Sequence, residues 1–254
     1  MILDWTRYFD RIYCIHYLPS REKFPRLREE LKRVGIWDSP IFEMRCTSPS
    51  KYDECIFREY RHKIYAPNLA YVNLCLEIRR VLYEAKEFGK RRILLLEDDV
   101  AFLKDIGEIE RILEATPEDY DIVQYDKFVT DNGWMKGDWD KRIVEKRIDD
   151  NFIDASGTLF TSAACMALSA KGIAEMLRIM DERIVATDVA PYLMKNCKYA
   201  VAIKNLAIQV FYGKCNNTSM CSTDDLHRAY TNSGVDYSLY ELPEGYGVGK
   251  LYVP

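Results

Sequence analysis

The chain has 254 residues, 48% of them hydrophobic and 30% charged, which is typical of a globular protein with a sizeable core. Its net charge of −4 argues against nucleic-acid binding, and no apolar run reaches the length of a transmembrane helix. Because its first residues are too acidic for a signal peptide, we expect a cytoplasmic protein whose eight cysteines are reduced.

The first half of the chain alternates apolar runs, which predict strands, with amphipathic runs, which predict helices. The predicted strands cover residues 11–17, 41–44 and 92–96, and the predicted helices cover residues 21–34, 68–88 and 106–113. Residues 47–67 are rich in Tyr, Lys and Arg and are predicted to form a loop. This alternation is typical of βαβ units in a mainly parallel sheet.

The second half of the chain is less regular, which predicts a mixed sheet. Strands are predicted at residues 121–125, 157–168 and 199–210, helices at 169–180 and 187–194, and a loop at 130–142. The polar, Tyr-rich residues 213–254 are expected to form a tail packed on a single domain made by residues 1–212. The sequence therefore predicts an α/β fold, with one Rossmann-like domain built on a central mixed, mainly parallel sheet flanked by helices.

Three consecutive acids, Glu97, Asp98 and Asp99, directly follow the buried run Ile93–Leu96. Carboxylates so close together repel one another, and a hard divalent cation is the usual reason for a protein to keep them. Ligands of open α/β sheets also bind at the carboxyl ends of strands. We therefore predict a Mn²⁺ or Mg²⁺ site for a phosphate-bearing substrate. Strand alternation would place Glu97 and Asp99 on one side of the strand and Asp98 on the other. We predict that Asp99 contacts the metal directly and that Glu97 or Asp98 contacts it through water or binds the ribose. Glu97 and Asp99 are thus the predicted metal ligands and Asp98 a predicted nucleotide contact; a solvated acidic turn is the alternative.

Polar residues also follow the first predicted strand, where a nucleotide commonly lies in α/β folds. His16, Tyr17 and Ser20 are candidates for nucleotide contacts, and Arg21 could pair with a phosphate. The alternatives are an ordinary strand-end histidine and a solvated arginine.

Several basic and aromatic residues are further candidates for ligand contacts. Lys214 is a candidate for a diphosphate contact and His227 for a metal ligand, whereas Trp134 and Trp139 could form a lid over a sugar acceptor. The basic residues of the predicted loop, which we interpret as a solvated segment beside the donor site, are Lys51, Arg58, Arg61 and Lys63.

Four segments in order resemble the family 25 glycosyltransferases, which include lipooligosaccharide and collagen galactosyltransferases. They are Phe9–Ile15 followed by Arg21, the run Ile93–Val100, Gly157-Thr158 with Ala163–Leu168 and Lys171-Gly172, and Thr187–Val189. The resemblance spans roughly residues 9 to 210, and its strength lies in the order and spacing of these segments.

The resemblance implies a GT-A fold and a metal-dependent, inverting transfer of sugar from a nucleotide-sugar donor, usually a UDP-sugar, to a glycan or glycoprotein acceptor. Inversion requires a carboxylate to take the proton of the acceptor hydroxyl. Asp188 is the candidate general base, with a helix N-cap as its alternative role, and Asp154 is the competing candidate. The family usually carries a Ser-His pair in the helix before the acidic strand, whereas the segment Leu74–Arg80 has no histidine, which leaves the donor open.

Two other functions are compatible with the same acids. A sugar nucleotidyltransferase also pairs an α/β sheet with acidic metal ligands, but residues 17–21 lack the glycine-rich loop that such an enzyme normally carries after its first strand. The other is a degenerate transferase that serves as a carbohydrate-binding or scaffold module.

Overall fold

The computed structural model describes residues 3–60, 69–127, 136–158, 160, 162–185, 187–210 and 234–242, with the backbone alone for Tyr60 and residues 136–139. Its strands are β1 (Arg11–Tyr17), β2 (Phe42–Thr47), β3 (Arg92–Glu97), β4 (Val100–Phe102), β5 (Ile122–Gln124), β6 (Phe152–Asp154), β7 (Cys165–Ser169), β8 (Tyr199–Ala202) and β9 (Ala207–Gln209). Its α-helices are α1 (Phe24–Arg33), α2 (Lys51–Tyr60), α3 (Leu69–Glu87), α4 (Ile106–Glu114), α5 (Lys136–Glu145), α6 (Ala170–Glu182) and α7 (Ala190–Leu193). A 3₁₀ helix at Leu18–Lys23 leads into α1.

A seven-stranded sheet with the order β2-β1-β3-β7-β5-β8-β6 forms the centre of the described part of the molecule. Five of its strands, β1, β2, β3, β5 and β8, run in one direction, and β7 and β6 run in the other. Strands β4 and β9 form a separate antiparallel pair. The predicted fold class, an α/β fold with a central mixed, mainly parallel sheet flanked by helices, is confirmed by this order and these directions.

The two faces of the sheet bury alternate residues of each central strand, as a strand covered on both sides requires. One face carries Ile12 and Leu94 against α1 and α4, whereas the other carries Tyr13 and Ile93 against α3 and α6. Each fully buried aliphatic side chain contributes about 1.5–3 kcal/mol to the free energy of folding, so these two layers stabilise the sheet that carries the site. Among the described helices, none is both long and apolar enough to span a membrane.

Several predicted boundaries are wrong for identifiable local reasons. Residues 51–60 form helix α2 and not a loop, because Ser50 and Asp53 cap each other's backbone N–H groups at its start. The predicted loop at 130–142 overlaps helix α5. The long strand predicted at 199–210 is divided between β8 and β9, and the one predicted at 157–168 is limited to β7.

The register assigns each candidate residue to one of the two edges of the sheet. The carboxyl ends of β1 and β3 lie together at what we call the upper edge, where Ile15 pairs with Glu97. The amino end of the antiparallel β7 lies at the same edge, because Cys165 pairs with Leu96. Asp154 pairs with Ala200 near the start of β8, towards the opposite edge.

Candidate functional site

The three acids do not continue the alternation of β3. The strand ends at Glu97, and Asp98 and Asp99 form the turn that leads into β4. Both aspartates pair with the ammonium group of Lys23, whose Nζ lies 2.9 Å from Asp98 Oδ1 and 3.1 Å from Asp99 Oδ2. The prediction that Asp98 faces away from Asp99 is therefore wrong, because the period of two applies only as long as the backbone stays extended.

Asp98 is buried and its two carboxylate oxygens are both engaged. Oδ2 accepts a hydrogen bond from the Tyr17 amide at 3.0 Å and lies 2.9 Å from His16 Nδ1, while Oδ1 pairs with Lys23. Burial acts to raise the pKa of Asp98, but Lys23, His16 and the Tyr17 amide outweigh it and lower the pKa below its ordinary value. Asp98 thus ties the end of β1 to the acidic turn.

Asp99 is also buried, but only one of its two carboxylate oxygens has a partner. Its Oδ2 pairs with Lys23, whereas its Oδ1 is buried and has no hydrogen-bond partner. Burial raises the pKa of Asp99 despite the opposing charge of Lys23, and the neighbouring Asp98 adds to the increase. A buried carboxylate oxygen without a donor is costly, and a bound cation would relieve that cost.

Glu97 connects the acidic turn to the second sheet and to Asp188. Its Oε2 accepts a hydrogen bond from Gln209 Nε2 at 3.0 Å. Burial raises the pKa of Glu97 well above its ordinary value, and the charges of Asp99, Asp188 and Asp98 raise it further. Asp188 therefore lies close enough for its charge to raise the pKa of Glu97.

Asp188 lies in a turn and not within a helix, because α7 begins only at Ala190. Its carboxylate accepts hydrogen bonds from the backbone N–H groups of Ser162 and Val189, which act to lower its pKa, but burial is the larger effect and raises it. The alternative role as the side-chain N-cap of a helix does not apply, since Val189 occupies the N-cap position. Asp188 is thus held by backbone donors beside the acidic turn.

Ser162 gives the segment between Asp188 and Glu97 its shape. It is a non-glycine residue with a φ of +81°, a conformation that is costly for an L-residue unless its surroundings hold it. Its hydroxyl donates to Asp126, and its carbonyl accepts from the side-chain amide of Gln124. Two residues on, the Ala164 carbonyl accepts from the Glu97 amide at 3.1 Å, so one short segment contacts both acids.

The acids open into a cleft at the upper edge. Tyr17, Ser20 and Lys23 line one side of it, and the side formed by β2 and α3 contributes Thr47 and Leu74. Of the residues predicted to bind a nucleotide, Tyr17 and Ser20 thus lie at the cleft, and His16 is buried behind it against Asp98. Arg21 is exposed on the 3₁₀ helix and is not among the residues that line the cleft.

Sequence reasoning missed two basic residues beside the acids, Lys23 and Arg26. Arg26 Nη1 donates to the Val100 carbonyl at 3.0 Å, and its charge lowers the pKa of Asp99. A helical period would have predicted that Lys23 faces inward. The buried positions from the 3₁₀ helix to the C-cap of α1 follow this period and are Ser20, Lys23, Leu27, Glu30, Leu31 and Val34.

The other predicted residues fall away from the cleft or outside the described residues. Asp154 accepts a hydrogen bond from the Ser156 amide at 2.9 Å towards the opposite edge of the sheet. Lys51 and Arg58 are exposed on α2, and Trp139 lies in α5, where only the backbone is described. The candidates outside the described residues are Arg61, Lys63, Trp134, Lys214 and His227.

The donor set fits a hard divalent cation only at Asp99 and Glu97. Among the described residues, no three His, Cys, Asp or Glu side chains are gathered closely enough to hold a metal ion by themselves. Asp98 has no oxygen to offer, whereas Asp99 Oδ1 has no partner, and carboxylate oxygens are the ligands such ions prefer. A diphosphate that entered the cleft could supply further oxygen ligands.

No protein-family model matches the sequence, and no curated protein sequence matches it significantly. Solved structures with similarity include the galactosyltransferase LgtC in complex with donor and acceptor sugar analogues, which is 12% identical, with 92% of this chain and 98% of that chain covered and a TM-score of 0.39. Mouse xyloside xylosyltransferase 1 is 9% identical over 72% of this chain and 80% of its own, with a TM-score of 0.33.

A synthase for 4-diphosphocytidyl-2C-methyl-D-erythritol from Anaerococcus prevotii is also similar, at 14% identity over 89% of this chain and 97% of its own, with a TM-score of 0.37. Because these TM-scores all lie below 0.5, the fold assignment rests on the strand order and strand directions of this chain.

Proposed function

We propose that this protein is a glycosyltransferase that moves a sugar from a nucleotide-sugar donor, a UDP-sugar in our proposal, to a hydroxyl group of a glycan or glycoprotein acceptor. The observation that carries the proposal is the acidic turn of Glu97, Asp98 and Asp99, which lines a cleft at the carboxyl ends of β1 and β3. The charge of Asp188 acts on Glu97, so a fourth carboxylate lies close to this turn. Ligands of α/β sheets bind at such an edge. The resemblance of the sequence to family 25 glycosyltransferases supports the same class.

Asp188 is the group that would take the acceptor proton. In an inverting transfer, the acceptor oxygen forms a bond to the anomeric carbon as the bond from that carbon to the diphosphate oxygen breaks, and the electron pair leaves with the diphosphate. The hydroxyl proton passes to Asp188, whose pKa burial raises, which makes its carboxylate a stronger base than an ordinary aspartate. The backbone donors from Ser162 and Val189 hold this carboxylate in one orientation.

The acidic turn would bind and orient the donor. A divalent ion held by Asp99 and Glu97 would offset the charge that develops on the leaving diphosphate. Asp98 orients His16 and the backbone of Tyr17, so the end of β1 is fixed beside the cleft before a donor arrives.

The test is a screen of sugar nucleotides with acceptor glycans, read by mass detection of the elongated product, on the wild type and three variants. We expect Asp188→Asn to keep donor binding and lose transfer, and Asp99→Asn to lose the Mn²⁺-dependent part of UDP binding while it remains folded. Asp154→Asn is the matched control, because Asp154 lies towards the opposite edge of the sheet.

The outcomes separate the rival functions. Loss of transfer in Asp154→Asn with transfer intact in Asp188→Asn would reverse the assignment of the base. Release of pyrophosphate from a nucleoside triphosphate and a sugar phosphate, without sugar transfer, would identify a nucleotidyltransferase. Binding of oligosaccharide without turnover of any donor would identify a binding module.

A further inference from the structure

Lys23 already occupies the space between two of the acids. Its ammonium lies within 3.1 Å of both Asp98 and Asp99, and the residue is only 7% exposed. It nevertheless lines the cleft, together with Tyr17 and Ser20. A positive charge is therefore present between the carboxylates and in reach of the cleft without any metal ion.

The ammonium position reflects a geometric constraint. Lys23 is the last residue of the 3₁₀ helix and the residue before α1. Leu27 and Leu31 are fully buried one and two turns further along α1, so the packing of this helix directs Lys23 inward. Lys32, on the same helix, lies on its solvent side, 3.6 Å from Glu29 Oε1.

Among the described residues that line the cleft, Lys23 is the one basic side chain. It pairs with Asp98 and Asp99, and the charges of Asp98, Asp99 and Asp188 also act on Glu97. Arg26 acts on Asp99 through its charge, but it does not line the cleft. A diphosphate entering among these carboxylates would be repelled unless a cation faced it. The lysine ammonium is a compact point charge with three donors, so it can donate a hydrogen bond to a phosphate oxygen while it keeps a carboxylate partner.

We propose that Lys23 is a diphosphate-binding residue that acts as a built-in counter-ion, so that this cleft binds a nucleoside diphosphate even without a divalent ion. The inference rests on the proposed nucleotide-sugar site but concerns a different property of it, namely whether the diphosphate is bound by Lys23 or by a divalent ion. A divalent ion at Asp99 then adds to the binding of the diphosphate and is not its precondition.

The experiment is calorimetric titration of UDP into the full chain, once in EDTA and once in Mn²⁺. We expect the wild type to bind UDP in EDTA with a Kd within about tenfold of the value in Mn²⁺, and Lys23→Met to weaken binding in EDTA by at least about tenfold. Lys32→Met is the matched control, and its Kd should equal that of the wild type in both buffers. Lys23→Arg, which keeps the charge, should restore most of the affinity in EDTA.

A charge-balanced pair keeps the test decisive if Lys23→Met does not fold. Asp99→Asn alone retains Lys23 and should bind UDP equally in the two buffers, whereas Asp99→Asn with Lys23→Met should bind it in neither. Binding by the wild type that occurs only with Mn²⁺ would overturn the role of Lys23 and leave the proposed function standing. An absence of UDP binding in both buffers would instead count against the nucleotide-sugar site itself.

Discussion

Ser162 offers a sharp test of how the segment beside Asp188 is held. Two substitutions remove the same hydroxyl, but they differ in their tolerance of a φ of +81°. Ser162→Ala keeps a Cβ in a backbone conformation that disfavours it, whereas Ser162→Gly removes the Cβ. In both variants the backbone N–H that donates to Asp188 is retained.

The expected magnitudes follow from the contacts of the hydroxyl. The bond from Ser162 Oγ to the buried Asp126 is worth about 2 kcal/mol, as for other hydrogen bonds to charged groups, and both variants lose it. The glycine variant is relieved of about 1–2 kcal/mol of strain, because it has no Cβ in the left-handed conformation. It is destabilised by somewhat less than 1 kcal/mol, because glycine increases the conformational entropy of the unfolded chain. We therefore expect Ser162→Gly to be more stable than Ser162→Ala by about 1 kcal/mol, or about 3 °C in melting temperature for a domain of this size.

The assay is thermal unfolding of both variants, followed by their transfer rates under saturating donor. The same pair of substitutions at Ser20, which is buried with a φ of −99°, is the control, and there alanine should be the more stable variant. If the glycine variant at position 162 melted at or below the alanine variant, the reasoning from backbone strain would be refuted. We also expect the glycine variant to retain more transfer activity, because it keeps the conformation that aims the N–H at Asp188.

Three other predictions concern buried groups elsewhere in the structure. Thr187→Val should raise the melting temperature by a few degrees, because Thr187 Oγ1 is buried without a hydrogen-bond partner; a lower melting temperature would show that the hydroxyl is satisfied. Gly172→Ala should destabilise by about 1–3 kcal/mol in thermal unfolding, since its new Cβ would overlap the Asp121 carbonyl oxygen, whereas Gly107→Ala would meet only the movable Asp105 side chain. Burial lowers the pKa of Lys127 to about 7, below its ordinary value, so above pH 7 the unfolded chain binds more protons than the folded chain. The free energy of unfolding should therefore rise by about 2 kcal/mol from pH 7 to 8.5. Denaturant titrations should show this rise in the wild type and not in Lys127→Met.

The sequence predicted the architecture better than the division of roles within the site. The apolar runs of β1 and β3 are local signals, and they are typical of strands that are buried on both faces, as these two are. The helix predicted at residues 169–180 matches α6, and Ser169 caps it by accepting a hydrogen bond from the Gly172 amide at 3.0 Å. Helix α2 could have been predicted as well, because the Ser50 and Asp53 spacing is a recognisable capping box.

The errors arose where a short-range pattern was extended beyond the element that supports it. Alternation does not hold at Asp98 and Asp99, because extended backbone ends at Glu97. Arg21 is the predicted phosphate contact, and Lys23 is absent from the predicted site, although the apolar period of α1 points to Lys23. The conformation of Ser162 depends on Asp126 and Gln124, 36 and 38 residues away, and no local pattern around position 162 indicates it.

The environments of the three neighbouring acids explain why one type of side chain can serve different purposes in adjacent positions. Asp98 receives donors from His16, Tyr17 and Lys23, so its charge is fully compensated and it acts to hold the strand ends together. Asp99 shares only Lys23 and keeps one oxygen without a partner, so it has capacity for a ligand. Glu97 accepts a hydrogen bond from Gln209 of β9. Its pKa is raised by burial and by the charges of Asp99, Asp188 and Asp98, so its negative charge is the least compensated of the three. A cation that entered this turn would therefore gain most from Asp99 and Glu97, and the carboxylate between them in sequence would remain a structural anchor.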